Sequence, residues 1–292
     1  MKPASFEYHV PDSIDQALEL MHEHADEAKI LAGGQSLVPA MNFRVVQPSM
    51  LIDLNRIKEL EYVRENGECL RIGAMTRERI LEFDPLIAKR SPLLQEAAPN
   101  IAHPQIRNRG TIGGSIVNAD PAAELPVLMI ALNARLRAGN TSGERWIEAK
   151  DFFVGMFTTA LEPDEILLEI EVPFIQPRMG WSFMEVAPRA GDYALMGVAA
   201  QVTLDEVGKC TQAKLVYLNA GDGPVDAKSA AQMLVGEAIH DELIDSVANM
   251  AGDREINPFG NVHTSIEFQR HLAKVLTKKT LKQAIERAGG NQ

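Results

Sequence analysis

Cysteine is scarce: Cys69 and Cys210 are the only two in 292 residues. A [2Fe–2S] cluster takes about four thiolates, and a structural zinc site about four Cys or His ligands. Two thiols far apart in sequence supply neither. The seven histidines are dispersed, and His22 and His24, two positions apart, do not share a helix face. The chain is therefore expected to hold no metal, with both cysteines reduced and structural. Long apolar runs are missing too. None approaches the roughly 18 to 20 residues that cross a bilayer. The start, MKPASFEYHVPDSIDQA, has neither the basic region nor the apolar stretch of a secretion signal. A soluble, cytoplasmic protein is expected. Positive charge is in deficit, with 29 Lys and Arg against 40 Asp and Glu and a formal net charge of −11. Without a basic stripe, nucleic acid and anionic membranes are excluded as partners. A small anion is compatible with this charge, because backbone N–H groups hold phosphate without net positive charge.

What is present is a large apolar fraction, 46% of residues. That is enough for a sizeable core and, at this length, roughly two domains. Residues 12–24 carry apolar positions at helical spacing behind a capping Asp12 or Ser13. Strands are expected at 29–32 and 50–54, with a short helix at 37–43 between them. Further strands are expected at 69–74, 134–137, 145–147 and 165–172, and helices at 77–83, 92–98 and 123–132. The last of these, AELPVLMIAL, reads as a buried helix with Pro126 in its first turn. Beyond about Gln176 the pattern changes. Three antiparallel strands (181–186, 194–204, 212–219) precede helices at 228–235, 240–250 and 265–287. Strands followed by helices indicate a separate α+β domain, with the linker at the bracketing prolines Pro173 and Pro177.

Two glycine pairs are the informative features: Ala32-Gly33-Gly34-Gln35-Ser36 and Thr111-Ile112-Gly113-Gly114-Ser115. Glycine permits positive φ and close approach to a ligand. Consecutive amides in such a turn form an anion-binding nest, to which Ser36, Thr111 and Ser115 add hydroxyl donors. Two nests can close on one diphosphate from opposite sides. Neither pair matches G-x-G-x-x-G or G-x-x-x-x-G-K-[ST], so a Rossmann dinucleotide domain and a P-loop are disfavoured.

The surroundings make the pairs specific. Segments LAGGQSLVPAMNFR (31–44), IDL (52–54), IGAMT (72–76), HPQIRNRGTIGGSIVNADPAAELP (103–126), EPDEILLEIEVP (162–173) and RAGDYALMGVAA (189–200) run in order. Together they resemble the medium, FAD-binding subunits of the molybdenum hydroxylases, nearly end to end. The resemblance implies an α+β fold. A two-subdomain FAD-binding domain of the vanillyl-alcohol oxidase (PCMH) type would cover residues 1–175, split at about 57/58. A smaller domain of three antiparallel strands and helices, of the carbon monoxide dehydrogenase flavoprotein type, would cover 178–288. It further implies that residues 32–36 and 111–115 wrap the FAD diphosphate. Leu31, Leu37, Ile101, Ala102, Asn118, Asp120 and Glu124 would lie along the cofactor. Leu167 would pack near a ring of it, with Asp192 and Tyr193 at one ring face. Ile112 is core-like in character, but its place in the turn points to flavin contact. Asp120 is either a cap for the following helix or a cofactor contact, and Glu124 either a first-turn dipole partner or a cofactor contact. Asp192 is equally a turn residue. Arg107 and Arg109 read as structural ion-pair residues, and Met41 as core.

The chain departs from some relatives, which carry AGGHS and TIGGN where Gln35 and Ser115 stand here. The Gln and Ser forms are similar to the quinoline enzyme, favouring an N-heterocyclic or purine-like substrate. Pro188 replaces a basic residue found in many relatives. The resemblance implies that a large partner carries a molybdenum–pterin centre and a small partner two [2Fe–2S] clusters, arranged as a dimer of heterotrimers. Electrons would reach FAD on this chain and leave to an external acceptor. No residue of this chain would attack the organic substrate. Two other readings are a free-standing FAD oxidoreductase of the same fold and a scaffold subunit that has lost its flavin.

Overall fold

The computed structural model describes residues 2–25 and 27–290. The expected domain start at Met1 lies outside them.

The N-terminal part opens with a parallel sheet of β1 (Glu7–His9), β2 (Ala28–Leu31) and β3 (Met50–Asp53), in the order β1-β3-β2. Helix Ile14–His24 lies over it and buries Ala17, Leu18 and Met21. Ser13 caps this helix by accepting from the Gln16 N–H at 3.2 Å. β1 is an addition to the sequence reading. It is three residues long and is defined only by its pairing with β3.

The second sheet is antiparallel: β4 (Val63–Asn66), β5 (Cys69–Gly73), β6 (Arg135–Asn140), β7 (Gly143–Glu148) and β10 (Ile166–Pro173), in the order β4-β5-β10-β6-β7. β8 (Phe153–Gly155) and β9 (Thr158–Thr159) form a separate small hairpin. Helix Glu124–Ala131 is buried along its whole length. A helix apolar on all sides requires cover on all sides. One core cluster supplies it, joining Leu70, Ile72, Leu136 and Ile170 of the second sheet to Ala199, Val216 and Leu218 of the third.

The third sheet orders β11 (Met179–Val186), β12 (Met196–Leu204), β13 (Cys210–Leu218) and β14 (Val225–Asp226) consecutively and antiparallel. The three long strands are those anticipated from the sequence; β14 adds a two-residue edge. The 23-residue helix Ile266–Ala288, capped by Ser265, covers its other face with a second apolar cluster that includes Cys210. Across the junction Arg287 pairs with Glu96 at 2.5 Å, and Glu96 also accepts from the Phe183 N–H at 2.8 Å.

Gly180 of β11 is where the last helix comes closest. A β-carbon there would overlap the Ala284 carbonyl and lie 2.5 Å from the Ala288 nitrogen. Gly180→Ala is expected to cost about 1–3 kcal/mol by forced displacement of packed backbone. Gly223→Ala, with open space around it, should stay within about 0.5 kcal/mol. Urea unfolding of both variants checks the contrast; equal midpoints would contradict this packing.

Candidate functional site

The two glycine segments meet. Gly33 follows β2 and is buried against the chain that leads into the second segment. A β-carbon on it would overlap the Arg109 carbonyl and lie 2.7 Å from the Gly110 Cα. On the other side, a β-carbon on Gly114 would lie 3.4 Å from the Ala32 β-carbon. Only glycine permits this approach of two main chains.

The first segment behaves as a nest. Gly34 has φ of +73° and Ser36 is right-handed helical. Its amides are unused: among the described residues, the N–H groups of Gly33, Gly34, Gln35, Ser36 and Leu37 donate to no protein acceptor. Gln35 folds back, donating from Nε2 to the Gly33 carbonyl at 3.0 Å. Helix Leu37–Asn42 follows, with Met41 in the core as expected.

The second segment is different from the turn read off the sequence. Residues Ile112–Asn118 form a helix with Gly113 and Gly114 in its first turn. Its amides are already engaged. Ile112 N–H donates to Thr76 O at 3.0 Å, Gly113 to Ala74 O at 2.9 Å, Gly114 to the capping Thr111 Oγ1 at 3.1 Å, and Ser115 to Thr111 O at 3.1 Å. This half is therefore a wall and not a second nest. Gly113 is glycine because Ala74 occupies the space of its side chain, with Ala74 O 2.6 Å from a β-carbon.

The remaining candidates divide by burial. Ile101, Ile112 and Leu167 point into one core cluster. Ile112 is fully buried, main chain included, so it serves the core and exposes no atom for the flavin contact expected of it. Ala102 adopts φ of +43°. Buried Arg107 holds this bend, donating from Nη1 to the carbonyls of Ile101 and Ala102, both at 2.9 Å, while pairing with Glu82 at 3.1 Å. The ion-pair reading of Arg107 is thus realised. Asn118 ends its helix, with Ala119 in the left-handed region behind it. Asp120 Oδ1 accepts from Ala122 N–H at 2.9 Å, a local turn that precedes the helix and does not cap it, because Glu124–Ala131 has Ala123 at its N-cap and no side-chain cap bond. Asp192 lies 3.5 Å from Arg189. Tyr193 is 70% exposed, and its hydroxyl is raised above the ordinary phenol range by surrounding protein and by Asp120 and Glu124.

Sequence reasoning missed Glu78 and Glu185. Glu78 lies against the Cα of Gly110, is 5% exposed, and has an oxygen with no partner. Burial, then the nearby Glu124, push its pKa up to about 8. Glu185 rises to about 8 for the same two reasons. Burial lifts Glu124 to about 7, opposed by its own N–H and helped by Asp120. The carboxyls support one another's protonation. A cavity of about 160 Å³ lined by Arg90, Leu132, Phe174 and Gln201 holds none of the candidate residues.

A family model described as the FAD binding domain in molybdopterin dehydrogenase matches residues 4–175, and the CO dehydrogenase flavoprotein C-terminal domain matches 181–284. The chain belongs to the FAD-binding medium subunits of the molybdenum hydroxylases. It is 42% identical over 288 residues to the 6-hydroxypseudooxynicotine dehydrogenase complex subunit alpha of Paenarthrobacter nicotinovorans, covering 99% of this chain and 97% of that one. The caffeine dehydrogenase subunit beta of Pseudomonas sp. strain CBB1 is 36% identical, with 98% and 97% covered. The solved carbon monoxide dehydrogenase of Hydrogenophaga pseudoflava superposes with a TM-score of 0.95 at 37% identity, covering 98% of this chain and 99% of that one. The fold expected from the resemblance, an FAD-binding domain followed by a smaller sheet domain, is the fold observed. Among the described residues no helix is long and apolar enough to cross a membrane.

The raised carboxyls set a pH dependence. Glu78, Glu124 and Glu185 start from an ordinary value of 4.5 and sit higher in the folded chain. The native state then binds more protons than the unfolded state between 4.5 and about 8, so stability falls as pH rises through that window. The urea midpoint should be lower at about pH 8.5 than at about pH 5.5, and Glu78→Gln should shrink the difference. A midpoint that rises with pH would contradict neutral buried carboxyls.

Proposed function

We propose that this chain is the flavin-bearing electron-transfer subunit of a cytoplasmic molybdenum hydroxylase of xanthine dehydrogenase type. A large partner carries the molybdenum–pterin centre, and a small partner carries two [2Fe–2S] clusters. Three such chains make a heterotrimer, and two heterotrimers pair. Electrons from the clusters pass through this chain to an external acceptor. The observation that carries the reading is the run of unengaged amides from Gly33 to Leu37, set against a second glycine pair on the facing subdomain.

When bound, FAD supplies a carrier that accepts two electrons and releases them singly or in pairs. The residues of this chain bind and orient it. The amides of residues 33–37 would donate to the diphosphate, and the Ser36 hydroxyl would add a donor. Thr111, Gly113, Gly114 and Ser115 would form the opposite wall, its glycines packed tightly against Ala74 and the Thr111 hydroxyl. Ala32 stands between the two walls, while Leu31 and Gln35 shape the nest from below. The main chain at Ile101 and Ala102, held by Arg107, would flank the cofactor, with Ile112 and Leu167 in the core cluster. Asn118, Asp120 and Glu124 would lie along the cofactor, and Asp192 and Tyr193 would stand at one ring face. Residues 1–175 thus hold the cofactor, and residues 178–288 close it from the side of Tyr193.

The organic substrate is proposed to be an N-heterocycle or a purine-like ring. The names of the two curated relatives support this, since 6-hydroxypseudooxynicotine and caffeine both contain nitrogen rings. The test is purification of the native complex. It should show a flavin absorption band near about 450 nm and acid-released FAD, with about four iron atoms and one molybdenum per flavin, as two [2Fe–2S] clusters require. A folded, colourless complex, or turnover of a small substrate by this chain alone, would overturn the reading.

A further inference from the structure

We propose that Arg77 is a positioning residue that fixes the spacing of the two glycine segments, so that the diphosphate meets a cradle already assembled. This rests on the flavin reading above and deepens it.

The bonds form one continuous path from one segment to the other. Asn55, just beyond β3, donates from Nδ2 to the carbonyl of Ala32, the first residue of the nest, at 2.9 Å. Its amide oxygen accepts from Arg77 Nη2 at 2.6 Å. Arg77 Nη1 donates at 2.5 Å to the carbonyl of Arg109, the same carbonyl on which Gly33 is seated. Asn55 is itself held, because its N–H donates to Asp53 Oδ1 at 2.8 Å and Asp53 Oδ2 accepts from the Tyr8 hydroxyl. Arg77 also forms an isolated β-bridge with Thr111, the cap of the second segment. One planar guanidinium therefore spans a side chain of the first subdomain and a main-chain carbonyl of the second.

The chemistry selects arginine. Its fork offers several N–H groups in fixed directions, whereas lysine offers one rotatable point charge. Arg77 is half-buried, and among the described residues no carboxylate lies within ion-pair distance of it. A guanidinium taken from water without a counter-charge is costly, and both forked bonds go to neutral oxygens. The arrangement makes sense for a brace whose bond directions matter more than its charge. Burial, and then the positive charge of Arg109, push the Arg77 pKa down, as expected for that environment.

The test is an FAD titration of the flavin-stripped full chain, followed by flavin fluorescence. Wild type, Arg77→Gln, Arg77→Lys, Asn55→Ala and the Arg77→Gln/Asn55→Ala double variant are compared. Glu96→Gln, which breaks the distant pair with Arg287, is the stability control. Each single variant at 77 or 55 should weaken FAD by at least about tenfold, while the double variant stays within about twofold of the worse single one, the signature of a shared path. Glu96→Gln should lower the melting temperature and leave FAD affinity unchanged. Unchanged affinity in Arg77→Gln, multiplied losses in the double variant, or full rescue by Arg77→Lys would each overturn the brace. If Arg77→Gln does not fold, Asn55→Ala and Arg77→Lys decide alone. Wild type that takes up no FAD would overturn the flavin reading and the brace with it; a normal wild type beside unaffected variants would overturn the brace only.

Discussion

Backbone meets backbone at Gly33. The main chain leaving β2 rests directly on the carbonyl of Arg109 and the Cα of Gly110, and the rest of the site depends on that contact. It joins a parallel three-stranded sheet to an antiparallel five-stranded one without intervening side chains. Any β-carbon at the junction would drive the subdomains apart. Because the contact uses carbonyl and Cα atoms, the amides of residues 33–37 stay unbonded to protein. Only Gly33 of this run is buried, so most of these amides open to solvent and are free to donate to an outside acceptor.

The two halves do different work. One offers donors; the other is a closed wall, its own amides being spent on the Thr111 cap and on the Ala74–Thr76 strand end. This asymmetry keeps the wall rigid while leaving the donor side available. Around the wall the chain has placed carboxyls whose pKa burial raises, which lessens the negative charge beside a site suited to an anion.

Much of the fold was legible because its elements carry strong local signals. The helix at Ile14–His24 has a Ser cap and helical apolar spacing, and the run ELPVLMIA has no polar face to show to water. The glycine pairs stood out in the sequence by themselves, and the resemblance supplied most of the other candidate residues. The helix at Ile112–Asn118 was not legible. Two glycines cost a helix roughly 1 kcal/mol each, so the segment reads as a turn. Tertiary bonds from Thr76 and Ala74 offset that cost. Arg77 and Asn55 escaped notice for another reason. They stand 22 positions apart, and no periodicity links residues that meet only when two sheets dock. Glu78 looked like an ordinary acidic residue in a first helical turn until the fold laid Gly110 across it.

Hydrogen exchange read by mass spectrometry reports most directly on whether the amides at 33–37 are the cofactor's seat. In the flavin-stripped chain, a peptide covering residues 31–38 should exchange rapidly, with strong slowing on addition of FAD. The Ile112–Ser115 amides, already bonded within the protein, should be protected in both states. Equal exchange at 31–38 with and without FAD, or protection gained only at 112–115, would contradict the account.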